Sequence, residues 1–160
     1  MIVIADTSPI NYLILIEAAE VLQGLYGSVI VPKAVVQELL AARAPSVVRD
    51  WISAPPVWLN MHPDPPGDPT LAFLGKGESA ALTLAQVLAA DKLLIDERAG
   101  RVEAERRHLP ATGILGVLAD AHVAGLLNLD EALRRLRATS FRLQVDVERQ
   151  LRLRILGTDA

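Results

Sequence analysis

Two stretches of the sequence decide the fold. Residues 1–9 read MIVIADTSP, and residues 92–101 read KLLIDERAGR. Each begins with a short apolar run, the pattern of a β-strand buried on both faces, and each then passes into polar residues that can start a helix. The sequence therefore predicts, twice, a buried strand that ends in an acidic residue just before a helix, at Asp6 and at Asp96.

The rest of the chain repeats this alternation of strand and helix. Further strands are predicted around residues 28–31, 57–61 and 109–111, and further helices over 33–43, 46–53, 76–90, 98–108, 114–125, 129–138 and 147–155. Strands that alternate with helices form parallel βαβ units. We therefore expect a three-layer α/β/α sandwich with a central, mainly parallel sheet, built by residues 1–160 as a single domain.

The composition excludes several classes of protein. The chain has 160 residues, of which 51% are hydrophobic, with a net charge of −3 and no cysteine. This length and apolar content suffice for a core without cross-links and exclude a disordered chain. The lack of cysteine excludes disulfide scaffolds, iron–sulfur sites and thiol catalysis, and the three histidines share no metal-ligand spacing that would suit zinc.

The sequence also bears on location. No segment approaches the roughly 18 uninterrupted apolar residues that a membrane-spanning helix needs. The apolar N-terminus has no basic residues before it and is interrupted by Asp6, Ser8, Pro9 and Asn11, so it does not match a signal peptide. We expect a cytoplasmic protein with no membrane partner.

Charge is distributed unevenly along the chain. Residues 1–97 contain five basic and eleven acidic residues, whereas residues 98–160 contain eleven arginines and eight acidic residues. Solvated helix faces are the simplest explanation. The cluster of Arg134, Arg135 and Arg137 is accordingly predicted to be a solvated face or a partner surface rather than a substrate groove.

Four acidic residues occupy related positions in the predicted fold. Asp6 and Asp96 follow strands, Glu38 lies in a helix, and Glu78 lies in the first turn of another helix, behind two glycines that allow close approach. In an open parallel sheet, ligands bind beyond the carboxyl ends of the strands, where the strand order reverses. If the first and fourth strands are neighbours, these carboxylates share a crevice. Clustered carboxylates repel each other unless protons or cations lie between them, and oxygen ligands suit Mg²⁺ or Mn²⁺.

Each of the four acids also has a purely structural interpretation. Asp6 could cap the helix that follows it, Glu78 could be a first-turn acid favoured by the helix dipole, and Glu38 could be solvated. Asp96 could begin the next helix, with Glu97 paired to an arginine one turn further on. The predicted convergence of all four at one edge of the sheet favours a shared site.

The same segments carry a resemblance to a known family. They are DTS at 6–8, VPKAVVQELL at 31–40, LGKGESAALTLA at 74–85 and LLIDERAGR at 93–101. In this order and spacing they resemble a PIN-domain protein, in particular the compact prokaryotic subgroup related to the toxins of VapBC-type toxin–antitoxin pairs. The motifs lie within residues 1–125, and residues 126–160 are expected to form a C-terminal helical extension.

The resemblance implies a PIN-like sandwich and a divalent-metal ribonuclease. It carries over Asp6, Glu38, Glu78 and Asp96 as the catalytic acids that coordinate Mg²⁺ or Mn²⁺. Two departures stand out: the third acid is a Glu where many relatives have Asp, and the Thr-x-Asp run that many relatives have near the fourth acid is missing. Because of the second departure, Glu97 could share or take the role of Asp96.

The sequence therefore predicts a metal-dependent endoribonuclease that hydrolyses RNA phosphodiester bonds, and a candidate toxin of a type II pair with an antitoxin as partner. Arg98 and Arg101, on the helix that leaves the site, are candidates for holding substrate phosphates, with ordinary surface arginines as the alternative. A catalytically degenerate PIN-like module that binds nucleic acid or protein is the second interpretation, and a phosphoesterase is the third. Helices rich in Ala and Leu suggest a homodimer.

Overall fold

The computed structural model describes residues 1–157, which form an α/β/α sandwich. The strands are β1 (Val3–Ala5), β2 (Val29–Pro32), β3 (Leu59–His62), β4 (Lys92–Leu94) and β5 (Ala111–Thr112). The helices are α1 (Thr7–Leu15), α2 (Val21–Tyr26), α3 (Lys33–Leu40), α4 (Ser46–Ser53), α5 (Lys76–Val87), α6 (Arg98–Arg106), α7 (Ile114–Val123), α8 (Leu129–Arg137) and α9 (Val145–Leu156). The predicted fold class is confirmed, with β5 placed about two residues later than expected.

All five strands are parallel and lie in the order β3-β2-β1-β4-β5. The order reverses between β1 and β4, because β2 and β3 extend the sheet on one side of β1 and β5 extends it beyond β4. Ile4 is in register with Leu93, and the N–H of Asp6 continues the ladder by donating to the carbonyl of Leu94 at 2.8 Å. The first and fourth strands are therefore neighbours, and their carboxyl ends open at the same edge.

The side chains of each strand alternate between the two faces of the sheet, as the pleat requires. Val3 and Ala5 of β1 pack in one hydrophobic cluster with α1, α3, α7 and α8, whereas Ile4 packs in a second cluster with α5 and α6. Leu94 and Leu93 of β4 divide between the same two clusters. Both faces of the sheet are thus covered by helices, which explains why the strands have unbroken apolar sequences.

Helix α5 accounts for the most apolar helical stretch of the chain. It is 12 residues long and buries Ala81, Leu82 and Leu84 against the sheet. None of the helices in residues 1–157 is long and apolar enough to cross a membrane. Because these Ala and Leu side chains pack inside the chain, they are explained without a second copy, and the homodimer stays a prediction.

A polar loop leads from β3 to α5 and is fastened at both ends. Asp64 accepts a hydrogen bond from the N–H of Ala34 at 2.8 Å, at the start of α3. Arg107 donates to Asp68 at 3.1 Å and to the hydroxyl of Thr70 at 3.0 Å. These contacts fix the chain that leads into the first turn of α5.

The C-terminal helices pack against the α1 side of the sheet. Leu129, Leu133, Leu136 and Leu151 belong to the same hydrophobic cluster as β1. The predicted arginine cluster is engaged in ion pairs within the chain: Arg134 and Arg135 with Glu131, Arg135 also with Glu17, and Arg137 with Glu148. The last three residues of the predicted extension, 158–160, lie outside the described part of the chain.

Candidate functional site

The structure places the predicted acids at the edge of the sheet where the strand order reverses. Asp6 follows β1 and is only 2% exposed, and Asp96 follows β4. Asp6, Glu38 on α3 and Glu78 on α5 line a cavity of about 270 Å³, to which Glu97 also contributes. Asp96 lines an adjoining groove of about 830 Å³, and Glu97 lines both. The four predicted acids and Glu97 thus line two adjoining cavities at this edge of the sheet.

Three of the acids keep one carboxylate oxygen buried without a hydrogen-bond partner: Asp6 Oδ1, Glu78 Oε2 and Asp96 Oδ2. The backbone holds the other oxygen in two of them, because Glu78 Oε1 accepts from the N–H of Gly75 at 3.4 Å and Asp96 Oδ1 accepts from the N–H of Ile114 at 2.7 Å. Burying a polar atom without a partner is costly, so native proteins keep few of them. These three oxygens are therefore candidates for binding a ligand.

Glu38 differs from the other three acids, because both of its oxygens already accept hydrogen bonds. The hydroxyl of Thr7 donates to Oε2 at 2.5 Å, and the N–H of Gly77 donates to Oε1 at 2.8 Å. Glu38 is half-buried rather than solvated. Its carboxylate thus ties the first turn of α1 to the first turn of α5.

The electrostatics of the cluster oppose ionisation. Burial raises the pKa of Asp6 to about 7, the N–H of Thr7 works against this shift, and the charges of Glu78, Glu38 and Asp96 add to it. Burial also raises the pKa of Glu78 and of Asp96 above their usual values, and the charge of Glu97 adds to both shifts. Like charges in a desolvated cleft favour protonation or a bound cation.

The structure supports the structural interpretation of Glu78 but not those of Asp6 and Glu97. Asp6 precedes α1, but its side chain makes no capping hydrogen bond. Glu78 does act as a first-turn acid, since it reaches back to the N–H of Gly75. None of the ion pairs of residues 1–157 joins Glu97 to Arg101.

Two of the carboxylates lie in close contact with the backbone of a glycine. A Cβ added at Gly77 would lie 2.6 Å from Glu38 Oε2, and one added at Gly113 would lie 2.5 Å from Asp96 Oδ1. Any larger residue at either position would displace the carboxylate it contacts. The glycines before Glu78 were predicted to allow close approach, whereas Gly113 was not, because its only signal in the sequence is a glycine between a strand and a helix.

The two predicted phosphate-binding arginines lie in the larger groove. Arg98 and Arg101, at the start of α6, line it together with Asp96 and Glu97. Neither forms an ion pair within the described part of the chain. The positive charge of Arg101 partly offsets the effect of burial on the pKa of Asp96, so it lies close to the acids.

The far wall of this groove comes from residues that carried no sequence signal. It is formed by the connection between α8 and α9, including Ser140, Phe141 and Arg142. The hydroxyl groups of Tyr12 and Ser140 are 3.0 Å apart, although 128 residues separate them in the sequence. A contact over this separation has no local pattern, which explains why it could not be predicted.

The carboxylates are near neighbours but do not converge on one point. Within residues 1–157, no three Asp, Glu or His side chains form a ligand set for a metal ion in the arrangement as folded. The cluster does contain three buried carboxylate oxygens without hydrogen-bond partners, and it carries an excess of negative charge.

Comparison with known proteins identifies the family. A PIN-domain family model matches residues 2–155. No curated protein and no solved structure matches the chain. The match extends beyond the motifs quoted above, which end before residue 125, and includes most of the C-terminal helices. PIN domains are generally nucleases and usually bind divalent metals, so the fold suggests a nuclease-type hydrolase. The chain belongs to the PIN-domain family.

Proposed function

We propose that this chain is a divalent-metal-dependent endoribonuclease in which Asp6, Glu78 and Asp96 coordinate Mg²⁺ or Mn²⁺. The observation that carries the proposal is the set of three buried carboxylate oxygens without hydrogen-bond partners, gathered where β1 and β4 end. Carboxylate oxygens are the donors that these hard cations prefer, and the chain has no cysteine to favour softer metals. The donor set fits the proposed ion.

Glu38 is the fourth acid of the proposed site. Its charge is one of those that raise the pKa of Asp6, so it adds to the potential that attracts a cation. Through Thr7 and Gly77 it also holds the starts of α1 and α5 in place. Glu97, which lines both cavities, is the further acid that could share the role of Asp96.

The proposed chemistry is hydrolysis of an RNA phosphodiester. A divalent ion, when bound, lowers the pKa of an attacking water and offsets negative charge on the phosphate. The chain contributes fixed carboxylates, held by backbone N–H groups, and the guanidinium groups of Arg98 and Arg101, which are suited to holding neighbouring phosphates. The expected products carry a 5′-phosphate and a 3′-hydroxyl.

The experiment that tests the function is incubation of single-stranded and structured RNA with the full chain and Mn²⁺, with an EDTA control. We expect metal-dependent internal cleavage that leaves 5′-phosphate ends. RNA binding without cleavage would favour the degenerate module instead. Hydrolysis of p-nitrophenyl phosphate in the absence of RNA cleavage would favour the phosphoesterase.

Metal binding is expected to stabilise the fold. A ligand that binds only the folded chain adds about 2.7 kcal/mol at a hundred times its Kd, which raises the Tm of a chain of this size by about 5–10 °C. Mn²⁺ should therefore raise the Tm in a thermal unfolding assay. A variant with both Asp6→Asn and Asp96→Asn should lose this shift, and an equal shift in that variant would place the metal elsewhere.

The substitution Gly113→Ala is expected to weaken metal binding without unfolding the chain. Its new methyl group would displace Asp96 Oδ1 and break the hydrogen bond to the N–H of Ile114. Loss of a group that orients a metal ligand typically lowers metal affinity about 10- to 100-fold. Mn²⁺ titration by calorimetry would measure this change. Gly67→Ala is the matched control, because a Cβ there meets nothing within 4 Å; equal affinities in the two variants would contradict the role of Asp96.

We also propose that the chain acts as the toxin of a type II toxin–antitoxin pair. The four ordered segments around Asp6, Glu38, Glu78 and Asp96 support this role through their resemblance to VapBC-type toxins. A neighbouring gene for a small DNA-binding protein that relieves growth arrest on co-expression is the expected antitoxin. Expression of this chain without any effect on growth would argue against the role.

A further inference from the structure

We propose that Arg142 of the C-terminal extension contacts an RNA phosphate in the larger groove beside the acids. This inference rests on the proposed ribonuclease function, since it names a further residue that holds the substrate of that site. It adds a residue and an element that the motifs around the four acids do not include.

The groove is continuous with the acidic cavity. Ser8, Tyr12 and Glu97 line both, so a chain lying in the groove passes directly to the carboxylates. The groove is about three times larger, with 830 Å³ against 270 Å³. The larger space suits the length of a bound strand, and the smaller space suits the single phosphodiester that is cleaved.

The positive charge of the groove is available to a ligand. Residues 98–160 contain eleven arginines, and six of them form ion pairs within the chain: Arg106, Arg107, Arg134, Arg135, Arg137 and Arg152. Three others, Arg98, Arg101 and Arg142, line the groove and have no such partner among residues 1–157. Unpaired guanidinium groups beside a catalytic cavity are suited to binding phosphates.

The structure fixes the wall that carries Arg142. The ring of Phe141 meets the ring of Tyr12 edge to face, with centroids 5.2 Å apart, and the hydroxyl of Ser140 lies 3.0 Å from that of Tyr12. Within the turn, the N–H of Phe141 donates to the hydroxyl of Thr139 at 3.2 Å. These contacts hold the connection between α8 and α9 against α1, so Arg142 is placed at the groove by an ordered segment.

The test is fluorescence anisotropy of a short, unstructured, labelled RNA with the full chain in EDTA, so that binding is measured without cleavage. Arg142→Ala is expected to weaken binding about three- to ten-fold, the range for one charge-assisted contact. The slope of log K against log salt should fall by about 0.7, as for one lost phosphate contact on a single strand. Arg149→Ala is the matched control, since Arg149 is exposed on α9 and does not line the groove.

Two results would overturn the inference: equal affinities of Arg142→Ala and Arg149→Ala for the RNA, or an unchanged salt dependence of binding in Arg142→Ala. The proposed function fails independently of this test. If the chain cleaves RNA but Arg142→Ala leaves RNA binding unchanged, only the proposed contact of Arg142 in the groove is refuted. If the chain binds RNA through Arg142 but does not cleave it, the contact in the groove is supported and the proposed ribonuclease function is refuted.

Discussion

Asp6→Asn is expected to abolish RNA cleavage and, without metal, to make the fold more stable. Asp6 is 2% exposed, has one carboxylate oxygen without a partner, and lies close enough to Glu78, Glu38 and Asp96 for their charges to raise its pKa. The substitution keeps the shape of the side chain but removes its charge. Cleavage should fall by at least about 10²–10³-fold, the size of effect seen when one group that stabilises a transition state is lost.

The expected gain in stability follows from the same burial. At a pH above about 7, the folded chain must keep Asp6 ionised in a desolvated cluster of like charges, and asparagine removes this cost. The Tm in EDTA should therefore rise by several degrees. A residue that served only as a helix cap would leave the Tm nearly unchanged, because asparagine caps a helix about as well as aspartate does.

Cleavage and thermal unfolding measured on the same preparations provide the test. Asp50→Asn is the matched control, since Asp50 is exposed on α4 and the chemical change is identical. It should leave both quantities unchanged. Cleavage that survives Asp6→Asn would refute the site assignment, and an unchanged or lower Tm would indicate a structural role for Asp6.

Much of the fold could be predicted because its signals are local. The apolar runs at 3–5 and 93–95 are short and are each followed by an acid, so strand length, burial and the start of the next helix are all encoded within ten residues. The predicted helix 46–53 matches α4 at both ends. The shared crevice of Asp6 and Asp96 was predicted on the condition that the first and fourth strands are neighbours, and the structure meets this condition.

The details that could not be predicted depend on contacts between distant segments. That Glu38 accepts from Gly77 depends on how α3 packs against α5, and this packing leaves no periodic pattern in either helix. The same holds for Tyr12 and Ser140, and for the fastening of the polar loop by Arg107. Side-chain type and spacing thus indicated which acids lie near one another at the edge of the sheet, but not which of their oxygens have no hydrogen-bond partner.

The uneven charge distribution has a more specific explanation than solvated faces. Acids of the first part of the chain gather in the proposed metal site, where they raise the pKa of Asp6. Most arginines of the second part form ion pairs with acids elsewhere in the chain. Three arginines without such a partner among residues 1–157, Arg98, Arg101 and Arg142, line the groove next to this site. An acidic protein can thus present a local positive surface to RNA beside a pocket that attracts cations.

Raising the pH from about 5 to about 8 in EDTA is expected to destabilise the chain, in contrast to the many proteins whose buried acids are ion-paired. The pKa of Asp6 rises from 3.8 to about 7 on folding. Between these values the folded state binds a proton that the unfolded state does not, so the free energy of unfolding falls as the pH increases. The stability that protonated Asp6 contributes is fully present below pH 3.8 and is lost as the pH passes about 7.

For Asp6 alone, the fall in the free energy of unfolding from pH 5 to pH 8 is on the order of 2.5 kcal/mol, which corresponds to a fall in Tm of about 5–10 °C for a chain of this length. Glu78 and Asp96 have pKa values shifted in the same direction and add to the fall. Asp68, Glu103 and Glu131 have lowered pKa values, so their contributions change only at more acidic pH, outside this window.

Thermal unfolding across the pH range, with EDTA or with Mn²⁺, separates the proposed metal site from a merely buried acid. In EDTA the parent chain should lose Tm with rising pH, and Asp6→Asn should show a flatter profile, because the main titrating group is gone. Since protons and metal compete for the same carboxylates, the stabilisation by Mn²⁺ should grow as the pH rises. A parent profile that is flat or rising in EDTA, or a metal effect that is independent of pH, would contradict a cation site built from these carboxylates.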